Sequence, residues 1–258
     1  MLPRPLTRAA VIAATLAFAS TATAAGQRPP VSTSRMGAVK GPGVVAAGVL
    51  QLEAGYLHAD RGPRVRRLFG ETLLRVGLGR ETELRATLPS YLRVETPHAV
   101  TEGATDAALV LKHRLRQAAG WMPAVAVTLG SSLPTGADEI GAGEAQPEGG
   151  VSAEWKLPRR LALVGIAAHR SAIVQGDRSG QTMAGAAVRA DLTRAVAAQL
   201  EYAGVSYTRA GAADLAQLRA TAALRLTRDL QLDAWAARAT QDGFPAETQC
   251  GFGFTRRW

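Results

Sequence analysis

From residue 45 to the carboxyl terminus, apolar and polar positions alternate with a period of two. The alternating stretches run about ten residues each and are separated by turn-forming residues, the pattern of half-buried strands rather than helices. In 67–79, Leu74, Val76 and Leu78 share one face while Glu71, Arg75 and Gly77 take the other. In 81–94, Leu84, Ala86 and Leu88 oppose Glu83 and Arg85; in 105–116, Leu109 and Leu111 oppose Lys112 and Arg114. The same division sets Trp155 and Leu157 against Glu154 and Lys156, Val188 and Ala190 against Arg189 and Asp191, and Leu200 and Tyr202 against Glu201. It continues with Leu218, Leu224 and Leu226 against Arg219 and Arg225, and with Leu230 and Leu232 against Asp233. Strand 160–172 is apolar on both faces.

In full, the pattern predicts strands at 47–59, 67–79, 81–94, 105–116, 122–133, 149–157, 160–172, 182–193, 195–207, 214–227, 229–240 and 248–258. An even set of about twelve, each long enough to cross a bilayer at a tilt, predicts an all-β fold: a closed antiparallel transmembrane β-barrel. Closure removes unpaired edges, and lipid covers the apolar face. Short connections fall at Gly79–Arg80, Pro158–Arg159, Thr193–Arg194 and Thr227–Arg228. Longer ones are expected at 60–66, 95–104, 134–148, 173–181, 208–213 and 241–247, with 117–121 intermediate. Short periplasmic turns and longer extracellular loops are the expected arrangement. A soluble sandwich with its charged face outward is the competing arrangement.

The two ends of the chain sharpen the picture. Residues 1–25 combine Arg4 and Arg8 with the apolar run Ala9–Ala25 and small residues suited to cleavage, the pattern of an export signal. Residues 26–44 are then expected to form a flexible segment or a plug, and 45–258 the barrel. The last residues, CGFGFTRRW, put Cys250, Phe252, Phe254 and Trp258 on one side of a strand. Such an aromatic ending resembles the closing strand of bacterial outer-membrane barrels, which implies recognition by the barrel assembly machinery. The expected location is the outer membrane, with its lipid and lipopolysaccharide as partners.

Composition changes this little. The chain is 258 residues long with a mean hydropathy of +0.01, because lipid-facing and polar positions average out along each strand. Aromatic residues are only 5% of the chain, enough for a sparse interface belt from Tyr56, Phe69, Tyr91, Trp121, Trp155, Tyr202, Tyr207, Phe252, Phe254 and Trp258. The net charge is +9, and loss of Arg4 and Arg8 with the signal lowers it to +7. The cations are spread along strands, without a nucleic-acid motif, so no nucleic-acid partner is expected. Contact between rim arginines and lipopolysaccharide phosphate is the sharper reading of that charge.

Little catalytic chemistry is legible. Cys250 is the only cysteine, so no internal disulfide is possible, and the four histidines are scattered without metal-ligand spacing. No cofactor, metal or catalytic set is expected. His169 and Ser171 stand at i, i+2, as in an outer-membrane acyl hydrolase, but Ala172 and Ile173 follow where that family has Asn-Gly. The inward polar face supplies the candidate residues lining a lumen: Arg75, Glu83, Arg85, Lys112, Arg114, Glu154, Lys156, Arg189, Asp191, Glu201, Arg219, Arg225 and Asp233. Charges of both signs fit a wet interior, since a dry one must pair them.

The stretches GATDAALVLKHRLR (103–116) and GWMPAVAVTLGSSLPTG (120–136), followed by VSAEWKL, resemble the outer-membrane transporter-like family of the phenol meta-cleavage pathway. That resemblance implies passage of small, hydrophobic or aromatic solutes and carries no catalytic residues. In the LPTG stretch, Pro134 is expected to end the strand and Gly136 to supply a positive φ. A structural or adhesive barrel without transport is the alternative reading.

Overall fold

The structure is a computed structural model that describes residues 31–258 apart from Met36, Gln175, Ala210 and Gly211. The expected export signal, 1–25, lies outside the described residues. Strands follow in chain order: β1 (Leu50–Arg61), β2 (Arg64–Gly77), β3 (Thr82–Thr87), β4 (Tyr91–Glu95), β5 (Val100–Ala104), β6 (Ala107–Arg116) and β7 (Ala124–Leu133). The second half adds β8 (Gln146–Leu157), β9 (Leu161–Val174), β10 (Asp177–Asp191), β11 (Val196–Tyr207), β12 (Leu215–Arg225), β13 (Leu230–Gln241) and β14 (Phe244–Arg257). All pairings are antiparallel: most join chain neighbours, β2 also pairs with β4 and β3 with β6, and β1 pairs with β14 from Gln51↔Arg257 to Asp60↔Thr248. Because β3 with β4 and β5 with β6 are the halves of two interrupted staves, the 14 segments make a closed barrel of 12 strands.

Alternation sets the faces. Leu129, Leu200, Tyr202, Leu218 and Phe252 point outward and are exposed, and the large apolar residues as a set crowd this outer surface. An exposed apolar band around a closed barrel is stable where lipid, not water, covers it. Tyr56, Phe69, Tyr91 and Phe252 form a continuous arc of rings on that face, at centroid separations of 5.1, 5.6 and 6.3 Å. Trp258 extends the outer face at the end where both β1 begins and β14 ends, called the proximal end below. Tyr207, expected in the belt, turns inward and its hydroxyl accepts a hydrogen bond from Gln181 Nε2 at 3.2 Å.

Several expected boundaries shift for physical reasons. The long distal connections at 60–66, 173–181 and 241–247 are mostly strand: β1 runs to Arg61 and β2 resumes at Arg64, while β14 resumes at Phe244 after β13 ends at Gln241. Gly62 and Gly243 take φ of 55° and 78°, which lets the chain reverse in two residues. Stretch 95–104 is likewise the β4–β5 hairpin. Strand 81–94 breaks at Pro89, which has no N–H for the ladder, and strand 105–116 breaks at Thr105–Asp106. A bulge at Gly70 and Glu71, with φ of 100° and 40°, shifts the register so that Phe69 faces outward while Glu71 keeps the inward face of Arg75.

The break at Asp106 explains the distinctive hairpin motif. Its Oδ1 accepts hydrogen bonds from the Thr135 and Gly136 amides at 3.1 and 2.8 Å, and its Oδ2 from the Ala142 amide at 2.8 Å. The longest connection, 134–145, is thereby folded over the edge of β5, where the Ala137 amide donates to the Ala104 carbonyl at 2.9 Å. Pro134 does end β7. Gly136, however, is not among the residues with positive φ; it is small because a Cβ would press on the Ala104 carbonyl and on Asp106. Replacing Asp106 with Ala should release this loop alone. Three amides lose a charged acceptor worth about 1.5–3 kcal/mol per bond, discounted for partial exposure. Hydrogen exchange at Thr135, Gly136 and Ala142 should accelerate by at least about tenfold, while the β12–β13 amides stay protected.

Candidate functional site: the barrel interior

Residues 31–47 run inside the barrel. They meet the wall first at the proximal turn, where the Val31 amide donates to the Arg228 carbonyl at 2.9 Å. Val39 packs on Val164, Ala187 and Ala203, across the interior from the seam of β1 and β14. Gly41 and Val45 then lie against the β6 and β3 walls, before the chain enters β1. An irregular segment buried in this way must have its backbone polar groups satisfied by the wall.

Three carboxylates accept five of its amides. Glu53 Oε2 accepts from the Ser34 and Arg35 amides at 2.8 and 3.1 Å and from the Thr33 hydroxyl at 2.7 Å. Glu201 accepts from the Ala38 and Val39 amides at 2.8 and 3.3 Å, and Glu83 from the Val45 amide at 2.6 Å. Cations and amides take the carbonyls: Gln51 and Arg75 donate to Ser32, Gln199 to Val39, Lys112 to Gly41 and Arg75 also to Gly43. Strand β9 is apolar on both faces from Leu161 to Ala168, where its inner residues Val164 and Ile166 receive Val39 and Ala38.

Arg35 projects from the segment into the seam. Its Nη2 lies 2.9 Å from Glu71, 3.9 Å from Asp233 and 3.4 Å from the Phe252 carbonyl. Room for the guanidinium comes from Gly55 on β1 and Gly253 on β14, where a Cβ would overlap it. Gly77 makes the same allowance for the Ala46 carbonyl, and Gly185 for Val39. Four glycines in the wall thus match three contours of the segment: the Arg35 guanidinium, the Val39 side chain and the Ala46 carbonyl.

The predicted interior residues separate into groups. Arg75, Glu83, Arg85 and Lys112 form one buried cluster, with Arg75 bridging Glu53 at 3.2 Å and Glu83 at 2.8 Å. Glu201 lies 3.6 Å from Arg219, whose guanidinium covers the Trp235 ring at 4.0 Å from its centroid. Asp233 is fully enclosed; Arg35 lies 3.9 Å away, and neither oxygen has a hydrogen-bond partner among the described residues. Glu154 pairs with Arg189 at 3.1 Å and Asp191 with Arg225 at 2.7 Å. Arg114 pairs with Glu81 in the proximal turn; its hydrogen bond, with that of Gln117, holds the Glu81 carboxyl below its ordinary range. Lys156 is exposed on the same inward-facing register. The expectation of a wet interior therefore fails across the middle of the barrel. There Glu53, Glu83 and Lys112 are at most 1% exposed, because the segment and mutual pairing replace water.

Sequence reasoning missed Gln51, Glu53 and Gln199, although all three lie on polar positions of alternating strands. It also missed Trp235, which lacks that signal, being an aromatic residue on the inner face. His169 and Ser171 are not brought together as base and nucleophile. His169 Nδ1 is 2.9 Å from the Thr182 hydroxyl, and Ser171 Oγ accepts from Arg178 at 2.9 Å. Among the described residues no group of metal-ligating side chains is assembled.

On the distal side of the segment lies a vestibule of about 540 Å³. Its floor includes Arg35, Ala38 and Lys40, and its walls Leu68, Leu73, Ser90, Glu148, Arg170, Met183 and Val205.

This architecture, a closed 12-stranded antiparallel barrel with an apolar outer face, is that of the outer-membrane β-barrels. No protein-family model matches the chain, and no curated protein does. Solved structures do match. The COG4313 outer membrane channel from Pseudomonas putida F1 superposes with a TM-score of 0.63 at 18% identity, over 83% of this chain and 97% of that one. The NanC porin gives 0.58 at 9% identity, over 80% and 98% of the two chains. The KdgM porin in complex with disordered oligogalacturonate gives 0.54 at 6%, over 79% and 98%. The likeness is one of fold.

Two substitutions probe the interior. Glu83→Ala leaves Arg75 and Arg85 buried beside each other without their shared acid, and should cost about 3–5 kcal/mol. Urea titration of the heat-modifiable folded band on gels would read that loss. Gly55→Val fills the place of the Arg35 guanidinium, so trypsin should cleave after Arg35 in the folded variant and not in the parent.

Proposed function

We propose that this chain is an outer-membrane channel admitting small, largely apolar organic molecules, aromatic ones among them, with residues 31–47 as its constriction. The observation that supports this reading is the solute-sized vestibule held above the segment. Its walls place Leu68, Leu73, Met183 and Val205 among a larger number of polar side chains, so an organic solute meets both apolar and hydrogen-bonding surface. In this reading the proximal end faces the periplasm, and the aromatic arc of Tyr56, Phe69, Tyr91 and Phe252 meets the headgroup region of the lipopolysaccharide leaflet.

A second reading, a structural barrel without transport, draws on a specific observation too. The middle of the interior is packed and ion-paired. The two readings differ in what removal of the segment does. Purified full-length protein and a variant lacking residues 31–44 would be compared by planar-bilayer conductance and by liposome swelling with small sugars. A channel predicts slow but measurable passage for the full chain and a severalfold increase for the variant. Absence of ion and solute passage in both would leave the structural barrel.

A further inference from the structure

Most charged groups inside the barrel are spoken for, and the vestibule holds two cations that form no ion pair with a described residue, Lys40 and Arg170. Arg35 pairs with Glu71 at 2.9 Å, and Arg219 lies 3.6 Å from Glu201 while stacked on Trp235. Lys40, on the vestibule floor, has no hydrogen bond or ion pair with any described residue. Arg170, on the β9 wall, donates through Nε and Nη2 to the single amide oxygen of Gln181, which leaves Nη1 without a partner among the described residues. Glu148 stands directly across the ladder from Arg170 but forms no ion pair with it or with Lys40. The vestibule lining therefore presents four cations, Arg35, Lys40, Arg170 and Arg219, against two carboxylates, Glu71 and Glu148.

A lone cation facing a partly dehydrated chamber attracts an anion more strongly than it would in water. The surplus is small and two acids share the space, so a multiply charged anion is repelled where a single negative charge is not. The remaining lining combines Leu68, Leu73, Met183 and Val205 with the hydroxyls of Thr72, Thr87, Ser90 and Thr105, which suits a small organic body attached to that charge. A volume of about 540 Å³ accommodates a one-ring or short-chain molecule with room for water. We infer that the vestibule is a binding site for small organic monocarboxylates, with Lys40 and Arg170 as the anchors of the carboxylate. This deepens the channel reading by naming its solute class, and rests on that reading for how the solute arrives and leaves.

The test measures binding, not passage, so the two ideas fail separately. Full-length protein in uncharged-detergent micelles would be titrated calorimetrically with benzoate, benzamide and benzylammonium, which share a ring and differ in charge. Benzoate should bind at least about tenfold tighter than benzamide, and benzylammonium more weakly than either. Lys40→Gln and Arg170→Gln should each bring benzoate down towards benzamide, and Lys40→Arg should restore the preference. Heat-modifiable migration of each variant would show that the barrel is formed. Benzoate binding no tighter than benzamide, or insensitive to both glutamine variants, would overturn the inference and leave the channel reading standing. Benzoate binding by a protein that conducts nothing would do the opposite.

Discussion

The barrel interior is organised around the hydrogen bonds between wall side chains and the backbone of residues 31–47. A chain without secondary structure carries unsatisfied amides and carbonyls wherever it goes, and inside a barrel there is little water to meet them. Glu53, Glu83 and Glu201 accept the amides; Gln51, Arg75, Lys112 and Gln199 supply the carbonyls with donors. The same carboxylates then neutralise Arg75, Arg85 and Arg219, so the charges are paired through a shared set of acceptors. Without the segment, those buried groups would have to be solvated by a water-filled lumen.

This arrangement couples closure of the barrel to its filling. β1 follows directly from the segment and forms the seam with β14, and Arg35 reaches Glu71 on β2 and the Phe252 carbonyl on β14 from one position. Gly55 and Gly253 leave a hollow on both sides of the seam for that guanidinium. The outer wall is built by a separate rule. There apolar side chains need only face outward on alternate positions, and the aromatic arc crosses the seam through Tyr56 and Phe252. The two faces of each strand answer to different solvents, lipid outside and a polar segment inside.

Much of the wall was legible in advance. The period-two alternation located most of the staves, because side-chain direction in a strand depends on position alone. The distal hairpins were misjudged as loops, since residues beyond the bilayer lose the apolar face while keeping the ladder. The break at Pro89 was visible as a residue but was overridden by the alternation on either side. Asp106 stood in a recognisable motif, yet its partners Thr135, Gly136 and Ala142 lie some thirty positions away in the chain.

The sequence by itself determined the number of staves and, on most strands, which positions face outward. These follow from local geometry and from the need to hide one apolar face. Only the tertiary structure decided what fills the barrel. Residues 31–47 have no periodic pattern to read, and their path depends on which carboxylates, amides and glycine hollows converge from strands far apart in the chain. That convergence turned an expected wet lumen into a packed waist, and it left Lys40 and Arg170 as the unpaired cations of the vestibule above it.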